Sequence, residues 1–290
     1  MASATHADNL PDFAPVPAEA FGPALNADGY FVGQIDGNLY WVTDSVYQAM
    51  FLTTREGVVL VDAPPTIGHN LLRAIASVTH ASGMPSKVTH LVYSHSHADH
   101  IGASSLFGTD VVRIGHRENR RLLLRDNDPN RPPPSVTFDE RHVLEVGGEQ
   151  LQLAFHGPNH TPDNIFIYAP KQQTLMVVDV VFPGWIPFKG LAVSQDIPGW
   201  VQAQDVALKY GRHSSAATWG ALARARTSTC NDTMFRIWRP ASAPRWRVWT
   251  RHPFSKNTDQ LGIAGPSSRR TWTPLRGRRQ IPSLPSTPAN

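Results

Sequence analysis

Residues 87–94 read KVTHLVYS, an apolar run of strand length that stops on His95-Ser96-His97-Ala98-Asp99-His100. Two further apolar runs stop on a carboxylate: GVVLVD on Asp62 and LMVVD on Asp179. Such short apolar runs look like buried strands. A carboxylate finishing such a strand is costly unless it is paired or bound to a metal. Ligand-type side chains are therefore expected where these strands end.

The rest of the first 210 residues follows the same pattern. YFVGQI and NLYWVT, joined at Asp36-Gly37, read as a hairpin, and SVYQAMFLTT and GVVLVD read as the next two strands. Apolar residues three and four apart over Asn70 to Val78 predict a helix packed on one face. A strand over Val111 to Ile114, a helix over Arg117 to Arg125 and a polar, proline-rich loop from Asp126 to Pro134 follow. HVLEV, EQLQLAFH, NIFIYAP and TLMVVD supply four more strands, and a short helix starts at Pro198-Gly199 and ends over Asp205 to Tyr210. Two blocks of strands, each followed by helix, point to an α/β sandwich of mixed sheets with helices outside. Residues 1–29, rich in Ala, Pro and Asp, read as an irregular lead-in, and 30–210 as the folded domain.

Four ligand-type side chains lie within the six residues from His95 to His100. In an extended segment His95 and His97 point to the same side, because strand side chains alternate. A turn into helix would then swing Asp99 and His100 towards a neighbouring position, so one short loop could feed two metals. Imidazole and carboxylate donors suit zinc, with iron and manganese as competitors. A catalytic ion needs a third protein donor and an open position, and His160, in the Gly/Pro-rich loop GPNHTPDN, is the candidate. Asp179 is a further ligand candidate, and Asp62 is expected to orient the ligand loop. His69, His80, His90, His116, His142 and His156 sit in ordinary helix, strand or loop contexts and are read as structural. Trp185, Pro187 and Phe188 in FPGWIPF are candidates for a substrate-pocket wall.

Several classes drop out. The single cysteine, Cys230, removes disulfide scaffolds and Cys-based zinc fingers. No apolar run has the length of a membrane span, and the amino terminus has neither a basic start nor an apolar core of a secretory signal; a cytoplasmic setting is expected. GxGxxG, GxxxxGK[ST] and GxSxG are missing, which removes the dinucleotide, P-loop and serine-hydrolase readings.

HSHADH resembles the HxHxDH signature of the metallo-β-lactamase superfamily. GPNHTPDN resembles that family's third-histidine loop, and VVDVVFPG the strand carrying its bridging aspartate. The resemblance covers roughly residues 30–210 and implies an αββα sandwich of two mixed sheets with metals at one edge. It implies that His95, His97 and His160 hold a first metal, that Asp99 and His100 hold a second, and that Asp179 bridges the two. The cofactor expected is Zn2+, up to two per chain. A bound metal lowers the pKa of water from ~16 to about 7, and Asp99 would orient the resulting hydroxide and shuttle its proton to the leaving group. The expected reaction is hydrolysis of a small-molecule ester, lactone, thioester, amide or phosphoester.

The chain changes character at Tyr210. Residues 1–210 carry 13 Lys+Arg against 21 Asp+Glu, whereas 211–290 carry 14 against 2. The family pattern wants one more histidine shortly after Tyr210, following a strand and a glycine. His213 and His252 follow no strand-like run, so the second metal is expected to be one ligand short and the activity impaired. Through synonymous codon choice, GRHSSAATWGALARA (Gly211 to Ala225) is compatible with an overlapping frame that reads TSFVGGHLGRLGT, which supplies such a strand, glycines and histidine. The tail, 211–290, is therefore expected to be frameshifted and poorly structured. Two rival readings remain: a nuclease-type or nucleic-acid-binding protein using the basic, Trp-bearing tail, which the acidic body disfavours, and an inactive metal binder.

Overall fold

The computed structural model describes residues 22–182, 191, 193–210, 217–218 and 221–222. The expectations for the lead-in up to residue 21, for Trp185, Pro187 and Phe188, for His213, Cys230 and His252, and for the tail apart from 217–218 and 221–222 lie outside the described residues. All the described residues belong to the first of two units, Met1–Ala241.

Seven strands form one sheet in chain order: β1 (Phe31–Asp36), β2 (Leu39–Thr43), β3 (Gln48–Thr54), β4 (Gly57–Val61), β5 (Val88–Val92), β6 (Val112–His116) and β7 (Val136–Phe138). The first four pair antiparallel through short turns, and β4 to β7 pair parallel. Parallel neighbours need crossover connections. These are α1 (Asn70–Ser82), then α2 (Ala98–Ile101) with a 3-10 turn at Ser104–Phe107, then α3 (Arg117–Asp126). The second sheet, in order β11-β10-β9-β8, is antiparallel throughout and comprises β8 (Arg141–Val146), β9 (Glu149–Ala154), β10 (Phe166–Ala169) and β11 (Thr174–Val177). After it come α4 (Ile197–Ala207) and a 3-10 turn, Leu208–Tyr210. Beyond Tyr210 the described residues are β12 (Ala217–Thr218) and β13 (Ala221–Leu222), an antiparallel pair.

Strand alternation sorts the apolar side chains into three layers. Met50, Leu52, Val59, Val61, Val92 and Ile114 of the first sheet meet Leu151, Leu153, Ile167 and Met176 of the second. Their neighbours Phe51, Val58, Leu60 and Leu91 face the other way, against Leu71, Ala74 and Ile75 of α1. On the far side of the second sheet, Phe166, Leu175 and Val177 pack on Trp200, Val201 and Ala203 of α4. The order is thus α1, sheet, sheet, α4, the αββα arrangement expected. It also explains why every residue of β3 and β4 is buried: both faces are covered.

Two elements differ from the expected ones. The segment 136–138, after the proline-rich loop, adds an edge strand parallel to β6. Helix α1 continues four residues past Val78, to Ser82, and is capped by Gly83 in the left-handed region (φ 67°). Thr79 and Ser82 there donate their hydroxyls to the carbonyls of Ile75 and Val78, at 2.8 and 2.9 Å, so these polar residues prolong the helix instead of ending it.

Candidate metal centre

The ends of β4, β5 and β11 and the loop after β9 converge on one spot. Four donor atoms, one each from His95, His97, His160 and Asp179, lie within 4.8 Å of one another. Asp179 Oδ2 sits at the centre, 3.0 Å from His160 Nε2, 3.1 Å from His100 Nε2 and 3.6 Å from His95 Nε2. His160 Nε2 faces His97 Nδ1 at 3.1 Å, and the His95 ring lies 4.6, 4.7 and 5.1 Å from those of His97, His100 and His160. The sequence separates these residues by up to 84 positions, and the fold brings them into one shell.

Local structure explains the aim of each group. His97 is extended (φ −65°, ψ 140°) and caps α2, whose first turn carries Asp99 and His100. The turn into helix brings His100 onto Asp179. Asp99 stays on the rim, its side chain 47% exposed and its Oδ2 3.6 Å from His100 Nε2. Asp62 does reach the ligand loop: its buried Oδ1 accepts the Ser94 amide at 2.8 Å. Ser94 Oγ in turn meets His95 Nδ1 at 3.0 Å, which leaves Nε2 to face the cluster. Both strand-ending aspartates adopt the left-handed conformation, Asp62 at φ 63° and Asp179 at φ 58°. Asp visits this region more readily than most residues; here the Asp179 carboxylate lies among the histidines and the Asp62 carboxylate on the Ser94 amide.

Burial and neighbouring charge set the protonation states. Burial, reinforced by His100, His97 and His160, holds the His95 imidazole well below its usual pKa. Burial and His160 take His97 down to about 4. His100 goes the other way: burial opposes its charge, but Asp179, Asp62 and Asp99 override it and carry the ring up to about 9. Asp179 is held well below the carboxylate range despite its burial, because His100, His160 and His95 surround it. Burial pushes Asp62 up to about 6.

This donor set fits a divalent cation. His95 and His97 are neutral at pH 7, the state in which imidazole binds a metal. His95 Nε2 is buried with no hydrogen-bond partner among the described residues, and such an orphaned nitrogen beside a carboxylate costs free energy unless it is coordinated. Three imidazoles and one carboxylate suit zinc or a neighbouring first-row ion.

Several supporting residues gave no signal in the sequence. Tyr47, just before β3, donates its hydroxyl to Asp99 Oδ2 at 3.1 Å and presents its ring edge-on to His100 at 5.3 Å. Ser96, between the first two histidines, donates to Asp163 Oδ1 at 3.3 Å, and Asn119 of α3 donates to the other oxygen at 2.9 Å. Arg131 caps the Ser96 carbonyl at 2.6 Å. The histidines expected to be structural lie elsewhere: His116 caps α3 and stacks on Phe155 at 4.0 Å, and His156 bonds the Tyr210 hydroxyl at 2.7 Å.

The alpha subunit of a 2,4-dinitroanisole O-demethylase from Nocardioides sp. (strain JS1661) is 27% identical over 175 residues, 59% of this chain and 50% of that protein. A type 2 metallo-beta-lactamase from Elizabethkingia meningoseptica is 24% identical over 167 residues, 57% of this chain and 65% of that one. The chain thus spans between half and two thirds of the length of these relatives. Among solved structures, a metallo-beta-lactamase from Pontibacter korlensis superposes with a TM-score of 0.60 at 21% identity, over 71% of this chain and 99% of that one, and shares the fold. The model of the metallo-beta-lactamase superfamily matches residues 42–229, beginning in β2 and extending past Tyr210. With that match over more than half its length, the chain belongs to the metallo-beta-lactamase superfamily.

Proposed function

We propose that the chain is a metal-dependent hydrolase of small molecules, and that His95, His97, His160 and Asp179 hold its principal metal ion. The observation that carries this reading is the convergence of those four donors within 4.8 Å, with His95 and His160 almost wholly buried. A divalent cation supplies, when bound, Lewis acidity towards a carbonyl or phosphoryl oxygen and the means to ionise water near neutral pH. Asp99, His100 and Asp179 are the donors for a second ion. That ion is held less tightly if no further histidine joins them.

The chain's own residues then divide the work. Asp99, half-exposed on the rim, takes the proton of the attacking water and passes it to the leaving group. Tyr47 holds one oxygen of that carboxylate and so fixes the plane in which Asp99 acts. Burial and then Asp99 keep the Tyr47 phenol up at about 12, so it serves as a donor throughout the neutral range. The relatives are named for O-demethylation of 2,4-dinitroanisole and for β-lactamase activity, both small-molecule chemistries. Among the described residues no helix is long and apolar enough to cross a membrane.

The test is a panel of aryl ester, lactone, β-lactam and phosphodiester substrates, run with zinc, with chelator and with the His97→Ala variant. The expected result is turnover of at least one substrate that chelation abolishes, zinc restores and His97→Ala lacks. Turnover indifferent to both chelator and His97→Ala would remove the metal from the mechanism.

A further inference from the structure

Beyond the donors themselves, three buried side chains grip the backbone that presents Asp179. The carbonyls of Val178, Asp179 and Val180, three residues in a row as the chain leaves β11, each accept a hydrogen bond from a buried side chain. Asn164 Nδ2 donates to Val178 O at 2.8 Å, Trp200 Nε1 donates to Asp179 O at 2.8 Å, and Gln204 Nε2 donates to Val180 O. All three donors are at least 96% buried. They act on the peptide units on either side of a residue held at φ 58°, where an L-residue needs its surroundings to keep it.

The same Asn164 also reaches the third histidine. Its Nδ2 donates to Asn159 Oδ1 at 2.9 Å, and that oxygen accepts the His160 amide at 2.6 Å. The Val178 carbonyl can only accept, so the orientation of the Asn164 amide is fixed by its partner. Asn164 Oδ1 is buried with no hydrogen-bond partner among the described residues, so this side chain is held for its two donated bonds. Helix α4 supports both segments at once. Its Trp200 and Gln204 hold the Asp179 turn. The amides of Gln195 and Asp196, just before the helix, donate to His160 O and Asn159 O at 2.9 and 3.0 Å.

We propose that Asn164 and Trp200 are positioning residues that hold Asp179 and His160 in one coordinating geometry, so that α4, although it contributes no donor, sets the affinity of the site. This rests on the metal reading above. Asn164 ties the two ligand segments to each other, and Trp200 ties the Asp179 turn to α4. Partners that orient metal ligands cost 10- to 100-fold in metal affinity when removed, and the same range applies here.

The experiment titrates the full chain, stripped of metal, with Co2+ and follows its visible absorption. Four proteins are compared: wild type, Asn164→Asp, Trp200→Phe and Phe51→Leu. Asn164→Asp keeps the shape but replaces the shared donor with an acceptor facing two acceptors. Trp200→Phe keeps an aromatic ring but loses the N–H. Phe51→Leu, in the layer against α1 and outside the cluster that holds Trp200, is expected to destabilise. Thermal unfolding of each metal-free protein shows which variants are folded. The expected result is Co2+ binding at least ~10-fold weaker, with shifted absorption bands, in whichever of the two clasp variants is folded, and wild-type binding in Phe51→Leu. Wild-type affinity and bands in a folded clasp variant would overturn the proposal. Equal weakening in Phe51→Leu would overturn it too, by reducing the effect to general stability. Failure of wild type itself to bind Co2+ would remove the metal reading and this proposal with it.

Discussion

Gly199 offers a sharp test of how α4 sits on the third-histidine loop. In a helix, Gly→Ala ordinarily stabilises, by up to about 1 kcal/mol. Here a Cβ would overlap the carbonyl oxygen of Pro158 and lie 3.0 Å from its carbon. The obstacle is backbone, two residues before His160, and it cannot rotate away as a side-chain end could. Overpacking of this kind costs about 1–3 kcal/mol, so after the helix gain of about 1 kcal/mol Gly199→Ala is expected to destabilise by up to about 2 kcal/mol net. For a domain of this size that is a drop of up to about 8 °C in melting temperature. Relief of the overlap displaces the loop by more than the ~0.2 Å tolerance of metal–ligand distances, so zinc affinity falls as well. Thermal unfolding of the metal-free protein reads the first effect, and competition with a chromophoric zinc chelator reads the second. A variant that melts higher than wild type and binds zinc equally well would refute the close approach of α4 to Pro158.

Asp62→Ala strands the buried Ser94 amide, at about 1–3 kcal/mol, and puts a β-carbon residue without a polar side chain at φ 63°, at about 1–2 kcal/mol more. Urea unfolding is expected to show a loss of about 2–5 kcal/mol, whereas Asp62→Asn, which keeps an acceptor, loses less. In chelator, stability is expected to fall on both sides of about pH 6.5. Towards acid, the unfolded chain protonates His95 and His97 before the folded one does, since His97 titrates only near 4. Asp62, raised to about 6, offsets one of these two imidazoles. Towards alkali, the folded state retains a proton on His100 up to about 9 that the unfolded chain has lost. Melting temperatures between pH 4.5 and 9 check both arms, and a flat profile would show that the imidazoles are not buried together.

The strands and the candidate donors were legible because each obeys a local rule. Runs such as GVVLVD and LMVVD announce buried strands, and HSHADH packs four donor-type side chains into one loop. His160 and Asp179 were legible through their resemblance to a family pattern and through the cost of ending a buried strand on a charge. The supporting contacts were not. Tyr47 meets Asp99 across 52 residues, Ser96 meets Asp163 across 67, and Gln204 meets Val180 across 24. No spacing rule connects residues so far apart, and each looks like an ordinary loop, helix or strand residue on its own. Strand β7 hid for a different reason: three residues after a run of prolines are too short for any alternation to register.

On the reading proposed above, one ion is held jointly by residues from the ends of two sheets. Anomalous diffraction at the zinc absorption edge, on crystals grown with zinc, tests it most directly. A peak among His95, His97, His160 and Asp179 is expected, as is its loss in His160→Ala crystals. No peak there, or one that survives His160→Ala unchanged, would contradict it.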